Sequence, residues 1–244
     1  MILQLSFLLI GLSANLGQEW TYDVRFTLNS RNQRPELTGS VVDNKVYVFE
    51  ELHIHWSDNN LEGSEHSIND YFSSAEIHFV HFNQRYDSLS KARDQRDGLV
   101  VLTVLVQLSR VDNKAIEPLI RVLPQVSRYN SSAIVKNALI LEKLLPINKE
   151  IFFTYKGSLT TPPCSETVKF IIYADPIRIS PFQLSQFRRL HERPLNGRSL
   201  KIFSNTRDIH RKNSRIVEVS DVRFGDTSSG SDVDDFGGNN DIDY

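Results

Sequence analysis

The sequence predicts a mainly β protein of the α+β kind, with a few helices at the periphery. Two observations point that way. Most apolar residues fall in short runs rich in Val, Ile, Phe and Tyr, several alternating with polar residues at the two-residue period of a strand. Helical spacing is confined to two stretches. A third observation sets the scale: 244 residues with an apolar share of 40% support one cored domain with a tail.

Residues 1–17 form an apolar N-terminal segment. Its 2–12 run, ILQLSFLLIGL, is too short to span a bilayer. It ends near Leu12-Ser13-Ala14 as a signal-peptide core would, but lacks a basic leader, and Leu12 is a poor small residue at the −3 site. Both a signal-like run and a remnant strand stay open. Residues 18–224 carry the domain. Val46 to Phe49 leads into Leu52-His53-Ile54-His55-Trp56, with Leu52 and Ile54 on one face and His53 and His55 on the other. Ala75 to Phe82 is a second strand that places Glu76, His78, Val80 and Phe82 on one face. Leu99 to Leu108 reads as a strand buried on both faces, and Ile151 to Tyr155 and Thr167 to Ala174 as further strands. Ser180-Pro181 gives an N-cap with Pro at the first helical position, before Leu184, Phe187 and Leu190 at helical spacing. Leu119 to Val126 is a second helix, which Pro124 kinks or ends.

Residues 225–244 read as an acidic, Gly/Ser-rich, disordered tail. They hold Asp226, Asp232, Asp234, Asp235, Asp241 and Asp243 and no Lys or Arg. Without these six Asp, 28 basic residues face 24 acidic ones, so the net charge of −2 becomes +4. No basic face points to nucleic acid. Cys164 is the only cysteine, so an intrachain disulfide is excluded and either a reduced compartment or a missing partner is implied.

Three histidines carry the chemistry. An H-x-H pair on a strand turns two imidazoles to one face, and a third from another strand closes a three-nitrogen zinc site with an open fourth position. His53, His55 and His78 have that pattern. Glu76, two residues before His78 and on its face, is read as the carboxylate that orients it. His66 and His81 are read as buried structural histidines.

The blocks ELHIHW, EGSEHSIND, AEIHFVHFN, DGLVVL, YKGSLTTPPCSE and LNGRSLKIFSNTR run in order over roughly residues 22–217. In them the chain resembles the α-class carbonic anhydrases of the secreted type. The resemblance implies a large, twisted, mostly antiparallel central sheet. It also implies Zn2+ as cofactor and the reversible hydration of carbon dioxide to bicarbonate and a proton by zinc-bound hydroxide, a lyase (carbonate dehydratase) activity. His53, His55 and His78 match the metal ligands. Thr160 and Glu65 match the catalytic pair: a hydroxyl that gives its single proton to Glu65 must accept from the metal-bound oxygen. Glu51, Glu76 and Asn205 match residues that support the ligands. Val80, Val101, Leu159, Thr161, Val168 and Phe170 match the substrate pocket. The partners implied are carbon dioxide and bicarbonate, with no transmembrane span and a monomeric state. The expected location is secreted or extracellular, with cytoplasmic as the alternative, and Asn130-Ser131-Ser132 is a glycosylation sequon.

The chain also departs from the family. Leu16 to Trp20 holds no histidine where fast members carry a proton shuttle. Gln18 and Trp20 are poor substitutes, so slow, buffer-dependent turnover is expected. Glu51 stands where Gln is usual and should weaken the metal as a Lewis acid. Phe170 stands for Trp and Thr103 for Gly. The N-terminal lobe of the family is not recognisable, nor is the cysteine that Cys164 would pair with there. The chain therefore reads as N-terminally truncated, with exposed sheet edge and reduced stability expected. A second reading of function is a catalytically silent binding module, or a truncated, unstable isoform.

Overall fold

The computed structural model describes residues 4–5, 9–10, 12–16, 24–28, 34–136, 139–192, 198, 200–210, 213–220 and 242–243. The 16–20 segment, except Leu16, lies outside these residues, as does most of the acidic tail. Within that tail, Ile242–Asp243 pair with Ser67–Ile68 as a short strand.

Among the described residues, one 12-stranded sheet organises the fold. Its centre runs Val24–Leu28, Tyr47–Trp56, Ala75–Asn83, Leu99–Leu108, Val168–Tyr173, Phe152–Gly157. Neighbours along this centre are antiparallel except Leu99–Leu108, which pairs in parallel with Val168–Tyr173. It also runs parallel to Ile177–Ile179. The sheet is therefore mostly antiparallel with a parallel seam.

The two faces bury different cores. One packs Leu52, Ile54, Trp56, Ile77 and Phe79 against the helical residues Leu119, Leu184 and Phe187. The other gathers Val80, Phe82, Val101, Val168 and Phe170. The period of two explains this segregation along each strand.

The Tyr47–Trp56 strand has a feature that its alternation hid. Phe49 faces His81 across the ladder, but Glu51 faces Val80, so Glu50 is an extra residue in a bulge. A bulge of one residue reverses the parity of every side chain after it. Val48 before it and His53 and His55 after it thus share a face despite their odd and even numbers. The Glu50 carboxylate is paired with Arg34.

The helices follow their sequence signals. Pro181–Phe187 is closed by a capping box between Ser180 and Gln183. Glu117–Val122 begins one residue before Pro118 and gives way at Leu123 to a 3-10 turn that contains Pro124.

His81 lies on the helix-covered face, 4% exposed, with its Nδ1 2.9 Å from the Phe79 carbonyl. Burial pushes this imidazole down from 6.5 to about 4. The unfolded chain therefore binds the extra proton between those values, and stability present above pH 6.5 is lost as pH falls through about 4. The shift corresponds to about 3 kcal/mol at most. Urea unfolding of the zinc-free protein at pH 7 and pH 4 checks this. His81→Gln should lose less stability over that interval than the parent chain; an equal loss would show that His81 does not carry the effect.

Candidate metal centre

The sheet register builds the centre. His53 lies opposite His78, His55 opposite Glu76, and His78 opposite Thr103 on the next strand. One ligand atom from each of His53, His55 and His78 falls within 4.8 Å of the others. Their ring centroids are 4.7 to 5.2 Å apart. His55 and His78 are fully buried and His53 nearly so.

Each imidazole is held from behind. His55 Nδ1 lies 2.9 Å from the Asn205 carbonyl oxygen. His78 Nε2 is bonded to Glu76 Oε1. His53 Nδ1 is 3.5 Å from Glu51 Oε1. The His55 and His78 contacts each engage one ring nitrogen, so the opposite nitrogen is the ligand position; the His53–Glu51 approach is an ion-pair distance and not a hydrogen bond. Asn205 is itself anchored: its Oδ1 accepts from the Trp56 N–H at 2.8 Å and its Nδ2 donates to the Ile54 carbonyl at 2.9 Å. The backbone of the ligand strand and its supporting residue thus hold each other.

Burial pushes His78 down to about 4, against the pull of Glu76. The ring is therefore neutral at physiological pH, the form that binds a metal. Burial pushes Glu76 up, but His66 and His78 outweigh it and hold the carboxyl well below the usual range. Three buried imidazoles, two with a hydrogen-bonded outer partner, fit a tetrahedral ion such as zinc with one position left for solvent or substrate.

Glu51 is less simple than its charge suggested. Burial raises its pKa first, and Arg25 lowers it. Arg25 stands opposite His53 in the register, with its guanidinium 3.6 Å from Glu51 Oε1. Arg25 thus offsets the negative charge that sequence reasoning assigned to this position in full.

Glu65 and Thr160 line one cleft, but no hydrogen bond joins them in this structure. Glu65 Oε1 instead accepts from the Arg207 N–H at 3.0 Å, and Oε2 lies 3.3 Å from His55 Nε2. The expected relay is not assembled. The apolar wall is: Val80 faces Val101, Val101 faces Phe170, and Leu99 faces Val168 across successive strands. These residues form one buried cluster with Leu159 packed on it half-buried. Thr161 is half-buried, and its carbonyl accepts from the Cys164 N–H at 3.1 Å.

Sequence reasoning missed three contributors. His66, taken as merely structural, donates to Glu76 through its backbone and contacts Glu76 Oε1 through Nδ1 at 2.6 Å. Tyr155 closes that chain, with its hydroxyl 2.7 Å from His66 Nε2. Arg207 holds Glu65. The position of His66 next to Glu65 and of Arg207 two residues after Asn205 was the only local signal for two of them.

Thr103 is fully buried, and its Oγ1 has no hydrogen-bond partner among the described residues. A buried hydroxyl left unpaired costs about 1–3 kcal/mol. Thr103→Val keeps the shape and should raise the unfolding free energy by about 1 kcal/mol without changing zinc stoichiometry. A lower denaturation midpoint for the variant would contradict this.

Fold and site together define a mainly β protein that presents three imidazoles to one metal position. The chain belongs to the eukaryotic-type carbonic anhydrase family, whose model matches residues 13–221. It is 33% identical over 193 residues to carbonic anhydrase 6 of Canis lupus familiaris, covering 78% of this chain and 59% of that protein. It is 35% identical over 171 residues to putative carbonic anhydrase 3 of Caenorhabditis elegans, covering 70% and 65%. To mitochondrial carbonic anhydrase 5A of Rattus norvegicus it is 37% identical over 145 residues, covering 59% and 47%. The chain thus spans about three-fifths of the length of carbonic anhydrase 6.

Proposed function

We propose that the protein is a zinc-dependent carbonate dehydratase that interconverts carbon dioxide with bicarbonate and a proton. The observation that carries this reading is the set of three buried imidazoles, each backed by its own oxygen, beside a continuous apolar wall. A zinc ion bound there would supply the Lewis acidity that makes water a nucleophile near neutral pH.

The remaining steps belong to this chain's residues. Val80, Val101, Leu159 and Val168 seat an apolar triatomic substrate where water competes poorly. Glu76, Glu51 and Asn205 fix the imidazole orientations. Thr160 and Glu65 orient the attacking water once the Thr160 hydroxyl turns to donate to Glu65. Thr161 contacts the product. The same reading includes secretion as a monomer with Asn130, exposed at a turn, as the glycosylated residue.

A second reading, a silent binding module, is favoured by one observation: the Thr160–Glu65 hydrogen bond is not formed. Zinc content of the purified full chain, together with carbon dioxide hydration with and without an aromatic sulfonamide, separates the two. Stoichiometric zinc with sulfonamide-sensitive hydration supports the enzyme. Stoichiometric zinc without it supports the module. A chain that takes up no zinc sinks both.

A further inference from the structure

At one edge of the central sheet a groove encloses about 420 Å³ of open space. That volume falls in the range of small-molecule sites. The groove exists because the short Glu218–Val219 strand pairs with only Phe153 and Thr154 of the Phe152–Gly157 strand. Tyr155 and Lys156 lie beyond that pairing, and residues 214–216, which lead into the short strand, form the other wall.

The groove carries excess positive charge. Its cations are Lys156, Lys169 and Arg215, and its carboxylate is Glu218. Arg215 is already paired with the exposed Glu166 at 3.2 Å, so the balance left is two ammonium groups against one carboxylate. Lys156 and Lys169 face each other directly across neighbouring strands. Like charges so placed are destabilising. Neither lysine is in an ion pair among the described residues, with Glu218 or with any other carboxylate. Lys156 is exposed and Lys169 half-buried. Lys169 Nζ donates to the Val41 carbonyl at 2.5 Å, and its other N–H groups are left to a ligand or solvent. Burial pushes the Lys169 pKa down; Glu218 and Asp43 pull it back up, and Lys156 and Lys45 lower it further.

The groove is separate from the metal centre. Val168 and Phe170 turn their side chains into the apolar wall beside that centre. Lys169, between them, turns the other way by the period of two, and the Val41 that it reaches belongs to the helix-covered core. No metal ligand and no residue of the apolar wall lines the groove.

We propose that this groove binds a small organic phosphate monoester, its phosphate group between the Lys156 and Lys169 ammonium groups and its organic part against Ile216. Such a phosphate carries about 1.5 to 2 negative charges at pH 7, which matches two unneutralised cations. Lysine binds phosphate as a point charge and needs no planar fork. The exposed Ser214 at the rim adds a hydroxyl donor, and Ile216, 77% exposed, offers an apolar surface.

Phenyl phosphate is the probe and calorimetric titration the readout, on the full chain both zinc-loaded and zinc-free. Both forms should bind it, because the groove needs no metal. Lys169→Gln should weaken binding on the order of tenfold, the effect of losing a charge-assisted hydrogen bond. Lys156→Glu reverses a charge at an exposed position, where folding is tolerant, and should weaken binding at least about tenfold; it covers the case in which Lys169→Gln fails to fold. Phenol, which lacks the phosphate, should bind at least about tenfold more weakly, and inorganic phosphate, which lacks the organic part, about threefold more weakly. Equal affinity in the parent and both variants would overturn the proposal, as would no binding to the zinc-free chain. Inorganic phosphate binding as tightly as phenyl phosphate would assign the groove to the free ion and overturn the monoester. Binding seen only with zinc and displaced by a sulfonamide would place the probe on the metal and also overturn it. None of these outcomes bears on carbon dioxide hydration, so the two readings fail separately.

Discussion

Glu76→Ala is expected to lower the unfolding free energy by about 4 kcal/mol and to weaken zinc binding by about 10–100-fold. The first figure follows from what the carboxylate satisfies. Glu76 is fully buried. Oε2 accepts the Glu65 N–H at 3.0 Å and the His66 N–H at 2.9 Å, while Oε1 contacts His66 Nδ1 and His78 Nε2. Alanine leaves two backbone donors and two imidazoles without this acceptor in a dry interior. Hydrogen bonds to charged groups contribute about 1.5–3 kcal/mol each, and bonds in one network are not additive. A loss near the upper end of single-residue effects is therefore expected. The second figure is the effect of removing a ligand's outer partner, for which carbonic anhydrase itself is the reference system. Glu76→Gln separates shape from charge. Its amide offers one acceptor oxygen, so one pair of donors would face an NH2 group, and roughly half the loss should remain. Urea unfolding of zinc-free protein gives the stability and a chelator competition gives the zinc affinity. A stability loss under about 1 kcal/mol for the alanine variant would mean that this network is not formed in solution.

The sequence made some parts of this architecture legible because their causes are local. Alternation within a strand placed Glu76, His78 and Val80 together, and the two-residue spacing of His53 and His55 needed no tertiary information. The Ser180–Gln183 cap is closed within one turn. The hidden parts depend on which strands pair and in what register. Glu50 is an extra residue only because the Ala75–Asn83 strand lies alongside. Arg25 reaches Glu51 because the Val24–Leu28 strand flanks His53. Tyr155 meets His66 across 89 residues, and Arg207 meets Glu65 across 142. Family resemblance pointed to Thr160 and Glu65 and to a hydrogen bond between them, but Glu65 accepts from the Arg207 N–H instead, because resemblance transfers residue types and not side-chain positions. The resulting site is well supported around the imidazoles and less so at the residues expected to orient water.

The second large effect concerns the ligands themselves. His78→Ala should take zinc from about one ion per chain to background, since two nitrogens are left where three protein ligands are the rule for an open site. The loss would be specific to the metal face. His81 is three residues away and equally buried, but it lies on the opposite face of the same strand, where its ring meets Phe49 at 5.6 Å. His81→Ala should keep the zinc and lose about 2–4 kcal/mol of stability, the usual range for truncating a large buried side chain. The pair of variants therefore divides metal binding from packing within one strand. Zinc content by elemental analysis and the visible spectrum after cobalt substitution read the first property, and urea unfolding of metal-free protein reads the second. Retention of stoichiometric metal by His78→Ala would assign the ion to other groups, with the nearby His66–Glu76 pair the first to test. Loss of metal in both variants would show that strand stability, rather than ligand identity, limits binding. That outcome would tie the metal centre to the integrity of the whole central sheet.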